Sequence, residues 1–291
     1  IEKNKPGEIR VVVKNFSKNR TQDVLLSAYM DGRRVGQSSL TINAEDESVV
    51  DMKVILSKSG YLPGLIEIDD DPLAADNKRY FHIFIPTQIN VLLAGNKVQD
   101  TEFIMLALNP VAQTTAPIQV KTINAMQMAV ENLNNFDVII LSNIPRMDEA
   151  SMRRLEGFLN SGKGLLIIPG SDADVSNYNL LLSKIGFGRI LNLSDNSSQA
   201  DVYMKFGQID YSHSIIRGMF DQNISSDKSL ESPYFIKFFK VDGTAPSQTV
   251  IAYSNNAPFL EESASKHFSA LLFTSAASLS WSDWPLKGIF V

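Results

Sequence analysis

The segment Asn135–Asp174 most strongly constrains how this chain folds, because it reads as strand, helix and strand. The apolar run Val138–Leu141 is typical of a strand that is buried on both faces of a parallel sheet. Asp148 is a suitable helix N-cap, and apolar residues recur at helical spacing after it. A second apolar run, Leu165–Ile168, ends at a sharp turn that begins with Pro169. The segment therefore predicts one strand–helix–strand unit of an open α/β sheet.

The turn after the second strand is where an open α/β sheet normally holds its ligand or its catalytic residues. Ser171 stands there as a candidate nucleophile, although it lacks the Gly-x-Ser-x-Gly context of hydrolases, and a simple turn residue is the alternative. Asp172 and Asp174 could hold a hard cation, or could be solvated or cap a helix. His213 is the histidine that we expect nearest to this pocket, with a structural hydrogen bond as the alternative to catalysis.

Composition limits the classes of function. The chain has 291 residues, which suggests two domains, and it has no cysteine. Disulfides, thiolate metal sites and cysteine catalysis are therefore excluded. The net charge is -5 and no basic stripe is present, so we expect no nucleic-acid partner. No glycine-rich phosphate loop follows a strand, and we predict no metal and no cofactor.

Residues 1–86 are predicted to form an immunoglobulin-like β-sandwich. Strand-like runs are separated by turn residues and lack helical periodicity, and Asp31-Gly32 between two such runs is a strong hairpin signal. Residues 87–291 then alternate strands with helices, including a helix at Asn179–Ile185, and predict a doubly wound, mostly parallel sheet. An irregular antiparallel β insertion is expected around residues 192–243, and a loop is expected to carry Pro258 and Glu261-Glu262.

Several segments resemble bacterial aerotolerance-regulator (BatA-like) membrane proteins. Asp69–Phe81 is similar to the end of their immunoglobulin-like (CARDB-like) domain, which leads into a glutamine-amidotransferase-like domain. The segments of the second domain that carry the resemblance are Val91–Gly95, Phe136–Leu141, Gly162–Gly170, His213–Phe220 and Trp281–Pro285. The resemblance implies a flavodoxin-like fold of the class I amidotransferase type for the second domain.

The resemblance also implies a cellular location for the protein. It implies an extracytoplasmic, periplasmic module that flanking transmembrane helices hold at the cell membrane, with protein partners in a membrane complex. Since the chain starts at Ile1 and stops in an apolar run, we expect it to be a piece of a longer protein. Amidotransferase activity is excluded, because there is no cysteine nucleophile and no histidine is followed two residues later by glutamate.

These observations predict a non-catalytic binding or scaffolding module. The alternative is a hydrolase or an enzyme that binds a small, sugar-like molecule in the strand-end cleft near Ser171, Asp172 and His213. A candidate partner surface is formed by the aromatic residues Tyr234, Phe238, Trp281 and Trp284, although residues two apart in a strand share a face, so part of this cluster must be core.

Overall fold

The chain is described by a computed structural model that covers residues 3–4, 6–69, 76–109, 117–198, 202–217, 232–265 and 268–290. It divides into two compact units, Ile1–Thr87 and Gln88–Val291. Parts of two segments that carry the family resemblance, residues 70–75 and 218–220, lie outside the described residues.

The N-terminal unit is a β-sandwich of two antiparallel sheets, which confirms the prediction of a sandwich. Its strands are β1 Pro6–Lys14, β2 Thr21–Met30, β3 Arg33–Ile42, β4 Glu47–Ile55, β5 Gly60–Ile68 and β6 Lys78–Ile85. One sheet pairs β1 with β4, and the other has the order β3-β2-β5-β6. The core between them includes Leu26 and Met30 from one sheet and Val13 and Met52 from the other. Because the chain has no cysteine, this packing replaces the disulfide that many such sandwiches contain.

The hairpin between β2 and β3 turns at Asp31-Gly32, as the sequence predicts. Both residues have positive φ angles, 49° for Asp31 and 74° for Gly32, as a type I′ turn requires. On the outer face of the four-stranded sheet, Tyr61, Tyr80 and Phe84 are exposed. The rings of Tyr61 and Phe84 lie 4.7 Å apart, so this face presents contiguous aromatic surface.

The C-terminal unit is built on an eight-stranded sheet with the order β12-β14-β15-β16-β10-β9-β7-β8. The strands from β8 to β16 in this order are parallel, and β15, β14 and β12 continue the sheet in antiparallel fashion. The strands of the unit are β7 Ile89–Gly95, β8 Ile118–Asn124, β9 Val138–Ser142, β10 Gly164–Ile168, β11 Ile190–Asp195, β12 Phe206–Ile209, β13 Lys237–Val241, β14 Gln248–Tyr253, β15 Pro258–Ala264 and β16 Ser269–Phe273. A separate two-stranded sheet pairs β11 with β13.

Helices pack on both faces of the large sheet. They are α1 Glu102–Leu108, α2 Glu149–Asn160, α3 Val175–Lys184 and α4 Ser214–Arg217, with short 3-10 helices at Val98–Asp100, Ala125–Ala129, Leu133–Asn135, Trp284–Leu286 and Gly288–Phe290. Leu92 and Ala94 of β7 face α2 and α3, whereas Val91 and Leu93 face α1. This alternation follows from the two-residue period of a strand that is buried on both sides.

Two boundaries differ from the sequence-based expectation. The helix predicted at Asn179–Ile185 begins at Val175, four residues earlier than the apolar pattern indicates. The Asp174 carboxylate caps this earlier start. The predicted loop around Pro258 and Glu261-Glu262 is strand β15, which pairs with β14 and β16. Adjacent glutamates favour an exposed loop, but here one lies on each face of the strand and both are largely buried.

Candidate functional site

The loops after β7, β9 and β10 meet at the carboxyl end of the parallel strands, around Asp172. The Oδ2 atom of Asp172 accepts hydrogen bonds from Lys97 Nζ at 2.7 Å, Asn96 Nδ2 at 3.0 Å and Asn143 Nδ2 at 3.4 Å. The hydrogen bond from Lys97, followed by that from Asn96, lowers the pKa of the Asp172 carboxyl below its ordinary value. Asp172 is therefore ionised, and its Oδ2 atom is held by three donors of its own chain.

Asn143 connects these loops. Its Nδ2 atom also donates to Asp100 Oδ1 at 2.9 Å, and its Oδ1 atom accepts from the backbone N–H of Asp172 at 3.0 Å. The backbone of Asn143 has a φ of 48°, a left-handed conformation that asparagine tolerates better than most residues. Gly170 packs directly on this side chain, since an added Cβ would lie 2.5 Å from Asn143 Oδ1. The strand end is thus closely packed around one asparagine.

A small cavity remains beside this network, next to Ser171. It is bounded by Ser142, Gly170, Ser171, Ser278 and Trp281, among others, and its volume is about 40 Å³. That is room for one or two water molecules, whereas small-molecule sites usually measure roughly 300–1,000 Å³. Ser171 therefore lines a space that is too small for a sugar-sized substrate.

Asp174 is the N-cap of helix α3. Its Oδ1 atom accepts from the backbone N–H of Asn177 at 3.1 Å, and its Oδ2 atom pairs with Arg146 at 2.9 Å. Within the described ranges, no group of three or more His, Cys, Asp or Glu side chains is placed to hold a metal ion. The helix-capping interpretation accounts for Asp174.

His213 lies away from the other predicted pocket residues. Its Nε2 atom is 2.8 Å from Glu262 Oε2, and Glu262 Oε1 accepts from Ser269 at 2.6 Å. Ser269 pairs with Gly164, the first residue of β10, whereas Ser171 follows the last. In the described part of the chain, no hydrogen bond joins His213 to Ser171 or to an aspartate side chain of the strand-end turn. The predicted convergence is therefore wrong, because His213 enters between the short helix α4 and the antiparallel strand β15.

We expect His213→Ala to destabilise the C-terminal unit by about 1–3 kcal/mol, because it leaves the largely buried Glu262 carboxylate without its main partner. Urea unfolding followed by tryptophan fluorescence measures this change. A double-mutant cycle with Glu262→Ala is the control, and the loss from His213→Ala should become smaller in that background. Equal losses in both backgrounds would contradict a stabilising pair.

Three of the four aromatic residues that were predicted as a partner surface belong to the core. Phe238, Trp281 and Trp284 are at most 4% exposed. Trp281 packs on Phe239, and the rings of Trp284 and Phe259 meet edge to face at 5.0 Å. Since these three side chains are buried, they cannot form a docking surface. Tyr234 remains accessible at 40% exposure.

Sequence reasoning missed four side chains of the strand-end network: Asn96, Lys97, Asp100 and Asn143. Each stands in the loop or first turn after a parallel strand, β7 for the first three and β9 for the last. The rule that directed attention to Ser171 applies equally to these loops. These four residues could therefore have been found in the sequence by considering the polar residues after every parallel strand.

No protein-family model and no curated protein matches the chain. Among solved structures, the chain is similar to the CARDB domain of the PF1109 protein from Pyrococcus furiosus, with 17% identity, a TM-score of 0.27, and coverage of 29% of this chain and 78% of that one. It is also similar to a putative ThuA-like protein from Bacteroides uniformis, with 10% identity, a TM-score of 0.47, and coverage of 65% and 82%. A third similarity is to Gan42B, a GH42 β-galactosidase, with 10% identity, a TM-score of 0.43, and coverage of 64% and 27%. At these identities and scores, the similarities carry no argument about what the chain does.

Among the helices that the structure describes, none combines the length and the apolar character that crossing a membrane requires.

Proposed function

We propose that this chain is a non-catalytic binding or scaffolding module. The supporting observation is the strand end, where Lys97, Asn96 and Asn143 donate to Asp172 Oδ2 and the adjacent cavity measures only about 40 Å³. An enzyme of this sheet type needs an open crevice at that edge to admit its substrate. Here Asp172, the carboxylate best placed to bind a ligand, instead accepts hydrogen bonds from side chains of its own chain.

We further propose that the second unit has a flavodoxin-like, amidotransferase-type fold. The order β8-β7-β9-β10-β16 corresponds to chain order 2-1-3-4-5 of the parallel strands, the order of flavodoxin-like sheets. Helices on both faces agree with a doubly wound sheet. A cysteine-free strand end on such a fold suits a scaffold better than an amidotransferase.

The proposed setting is the extracytoplasmic, periplasmic face of the cell membrane, with flanking segments as the anchor. This setting rests on the resemblance to BatA-like proteins. Protein partners in a membrane complex are the corresponding proposal for what the module binds.

The aromatic face of the sandwich is the surface we propose for that binding. Tyr61 and Tyr80 are more than 70% exposed, and Phe84 is more than half exposed. Tyrosine and phenylalanine are enriched in the cores of protein interfaces, and the adjoining exposed rings of Tyr61 and Phe84 are therefore the centre of the proposed surface. We propose this surface as the partner-binding surface instead of the predicted one, because Trp281 and Trp284 are buried.

The test is capture of membrane proteins by the chain used as bait in detergent-solubilised bacterial membranes. We expect a defined set of proteins to be retained by the unchanged chain and lost with Tyr61→Ser/Phe84→Ser. The matched control is Met126→Ser/Val130→Ser, which removes two exposed apolar side chains from the other unit and should leave capture unchanged.

Either of two outcomes would contradict the proposal. One is capture that both double variants reduce equally. The other is a hydrolytic activity of the chain that Ser171→Ala abolishes, which would favour the alternative of a hydrolase with a strand-end site.

A further inference from the structure

Two exposed aromatic rings surround one ammonium group on the surface of the C-terminal unit. The ring centroids of Tyr203 and Tyr234 are 4.5 Å apart and the rings are nearly perpendicular, at 88°. The Nζ atom of Lys205 lies 4.7 Å from the Tyr234 centroid and 5.8 Å from the Tyr203 centroid. Both distances are within the roughly 6 Å over which a ring attracts a cation. Tyr203, Lys205 and Tyr234 are called the cation corner below.

Backbone pairing fixes the position of the cation corner. Met204 and Phe235 exchange two backbone hydrogen bonds, each 2.8 Å long, in an isolated antiparallel bridge. Side chains alternate along such a pair, and Phe235 is fully buried. The neighbouring residues 203, 205 and 234 therefore point to the opposite, exposed side. The rings meet because of this pairing and do not depend on the Lys205 ammonium group.

A carboxylate further holds the Tyr234 side of the cation corner. The backbone N–H of Tyr234 donates to Asp283 Oδ1 at 2.6 Å, and the N–H of Asp283 donates to the Tyr234 carbonyl at 3.2 Å. The other oxygen of this carboxylate, Asp283 Oδ2, forms an ion pair with Lys287 Nζ at 3.3 Å, so Asp283 is itself held in place. A site whose groups are already held in place loses little entropy when a ligand binds.

We propose that the cation corner is a binding site for quaternary ammonium groups, which Lys205 occupies in the absence of a ligand. The tyrosines remain 43% and 40% exposed, so a ligand has access to them. Among the described residues, no carboxylate forms an ion pair with Lys205, and only the rings contact its ammonium group. A primary ammonium is strongly hydrated, whereas a quaternary one gives up little hydration when it contacts aromatic faces. A quaternary group therefore displaces the lysine. This inference goes beyond the proposed function and does not depend on it.

The experiment is a titration of the full chain, carrying ¹³C-labelled tyrosine, with tetramethylammonium chloride at constant ionic strength. Ring signals of Tyr203 and Tyr234, assigned from Tyr203→Leu and Tyr234→Leu spectra, should shift saturably with a millimolar dissociation constant. n-Butylammonium, which mimics a lysine side chain, should bind more weakly. tert-Butanol has a similar shape without the charge, and it should cause no saturable shift.

Variants test the role of each part. Lys205→Met removes the competing charge but keeps an apolar stem. It should tighten tetramethylammonium binding about three- to five-fold, the factor expected when an exposed cation–π interaction with the two rings no longer competes. Tyr203→Leu and Tyr234→Leu should each abolish binding. Lys240→Met, at another exposed lysine of the same unit, is the matched control and should leave the affinity unchanged.

Three results would overturn the proposal. The first is no saturable shift in either the unchanged chain or the Lys205→Met variant. The second is equal binding of tert-butanol, which would make the contact merely apolar. The third is an affinity that Lys205→Met leaves unchanged, because Lys205 would then not occupy the site.

Discussion

Trp281→Ala is expected to lower the free energy of unfolding of the C-terminal unit by about 3–5 kcal/mol, the usual cost of removing a buried tryptophan. Trp281 is 2% exposed and its ring lies 5.4 Å from that of Phe239. Its backbone carbonyl also accepts hydrogen bonds from Ile236 and Lys237. Alanine keeps the backbone bonds but leaves a void beside the strand-end cavity, and the surrounding sheet can close this void only in part.

Urea unfolding measured by tryptophan fluorescence tests this expectation. Both tryptophans of the chain, Trp281 and Trp284, lie in the C-terminal unit, so the signal reports on that unit alone, and Trp284 still reports in the variant. Met126→Ala is the control, because Met126 is 84% exposed and its loss should change stability by no more than about 0.5 kcal/mol. If Trp281→Ala were equally mild, Trp281 would not be a core residue. In binding studies, loss of a partner by a tryptophan variant would therefore report a destabilised core rather than a damaged contact surface.

Glu261→Gln is expected to stabilise the C-terminal unit at neutral pH by about 1–3 kcal/mol, because it removes the desolvation penalty of a buried, ionised carboxylate. Glu261 is 3% exposed on β15. Its Oε1 atom accepts from Ser247 at 3.2 Å, and its Oε2 atom has no partner among the described residues. Burial disfavours the carboxylate and raises the pKa of Glu261 above its ordinary value of 4.5.

The raised pKa of Glu261 gives stability a definite dependence on pH. Below pH 4.5 the group is protonated in both the folded and the unfolded chain, so burial adds no charge penalty. As pH rises, the unfolded chain releases the proton first, and stability falls until the folded carboxyl has also ionised. The glutamine variant has no proton to release at this position. The gain from Glu261→Gln should therefore be small at pH 4 and reach its full size above the folded pKa.

Urea midpoints at pH 4, 6 and 8, again from tryptophan fluorescence, measure how the stability gain from Glu261→Gln changes with pH. Glu262→Gln is the matched control. The Glu262 carboxylate has partners in His213 and Ser269, so we expect its neutralisation to destabilise the C-terminal unit. A Glu261→Gln variant that is less stable than the unchanged chain at pH 8 would contradict the expectation, since the carboxylate would then be needed in its charged form.

The parts of the fold that sequence could predict are those with a strong period. β9, α2 and β10 follow from two apolar runs and a helical pattern, and Asp148 caps α2 as expected, accepting from the Ser151 N–H at 2.6 Å. Strand β15 was not predicted, because it contains two adjacent glutamates and charged residues are rarely buried. The burial of Glu262 depends on its pairing with His213, which lies 49 residues earlier in the chain. Partners that distant cannot be read from a local pattern.

The candidate site shows the same limit. Position after a parallel strand correctly placed Ser171 and Asp172 at the carboxyl edge of the sheet. Whether that edge is open or filled depends on Asn143 and Lys97, which reach Asp172 across 29 and 75 residues of chain. The depth of a pocket depends on such long-range contacts, so the small size of the cavity beside Ser171 is visible only in three dimensions.

The Asp31-Gly32 turn also bears on how the sandwich assembles in time. β2 and β3 are joined by a turn whose positive φ angles match the strand twist, so this pair closes over a very short loop. β1 and β4 pair residues that are far apart in sequence, such as Arg10 with Asp51. Hairpins form in roughly 1–10 μs, whereas pairings of high sequence separation must first overcome loop-closure entropy. We therefore expect the hairpin of β2 and β3 to form early in the folding of the N-terminal unit and the pairing of β1 with β4 to form later.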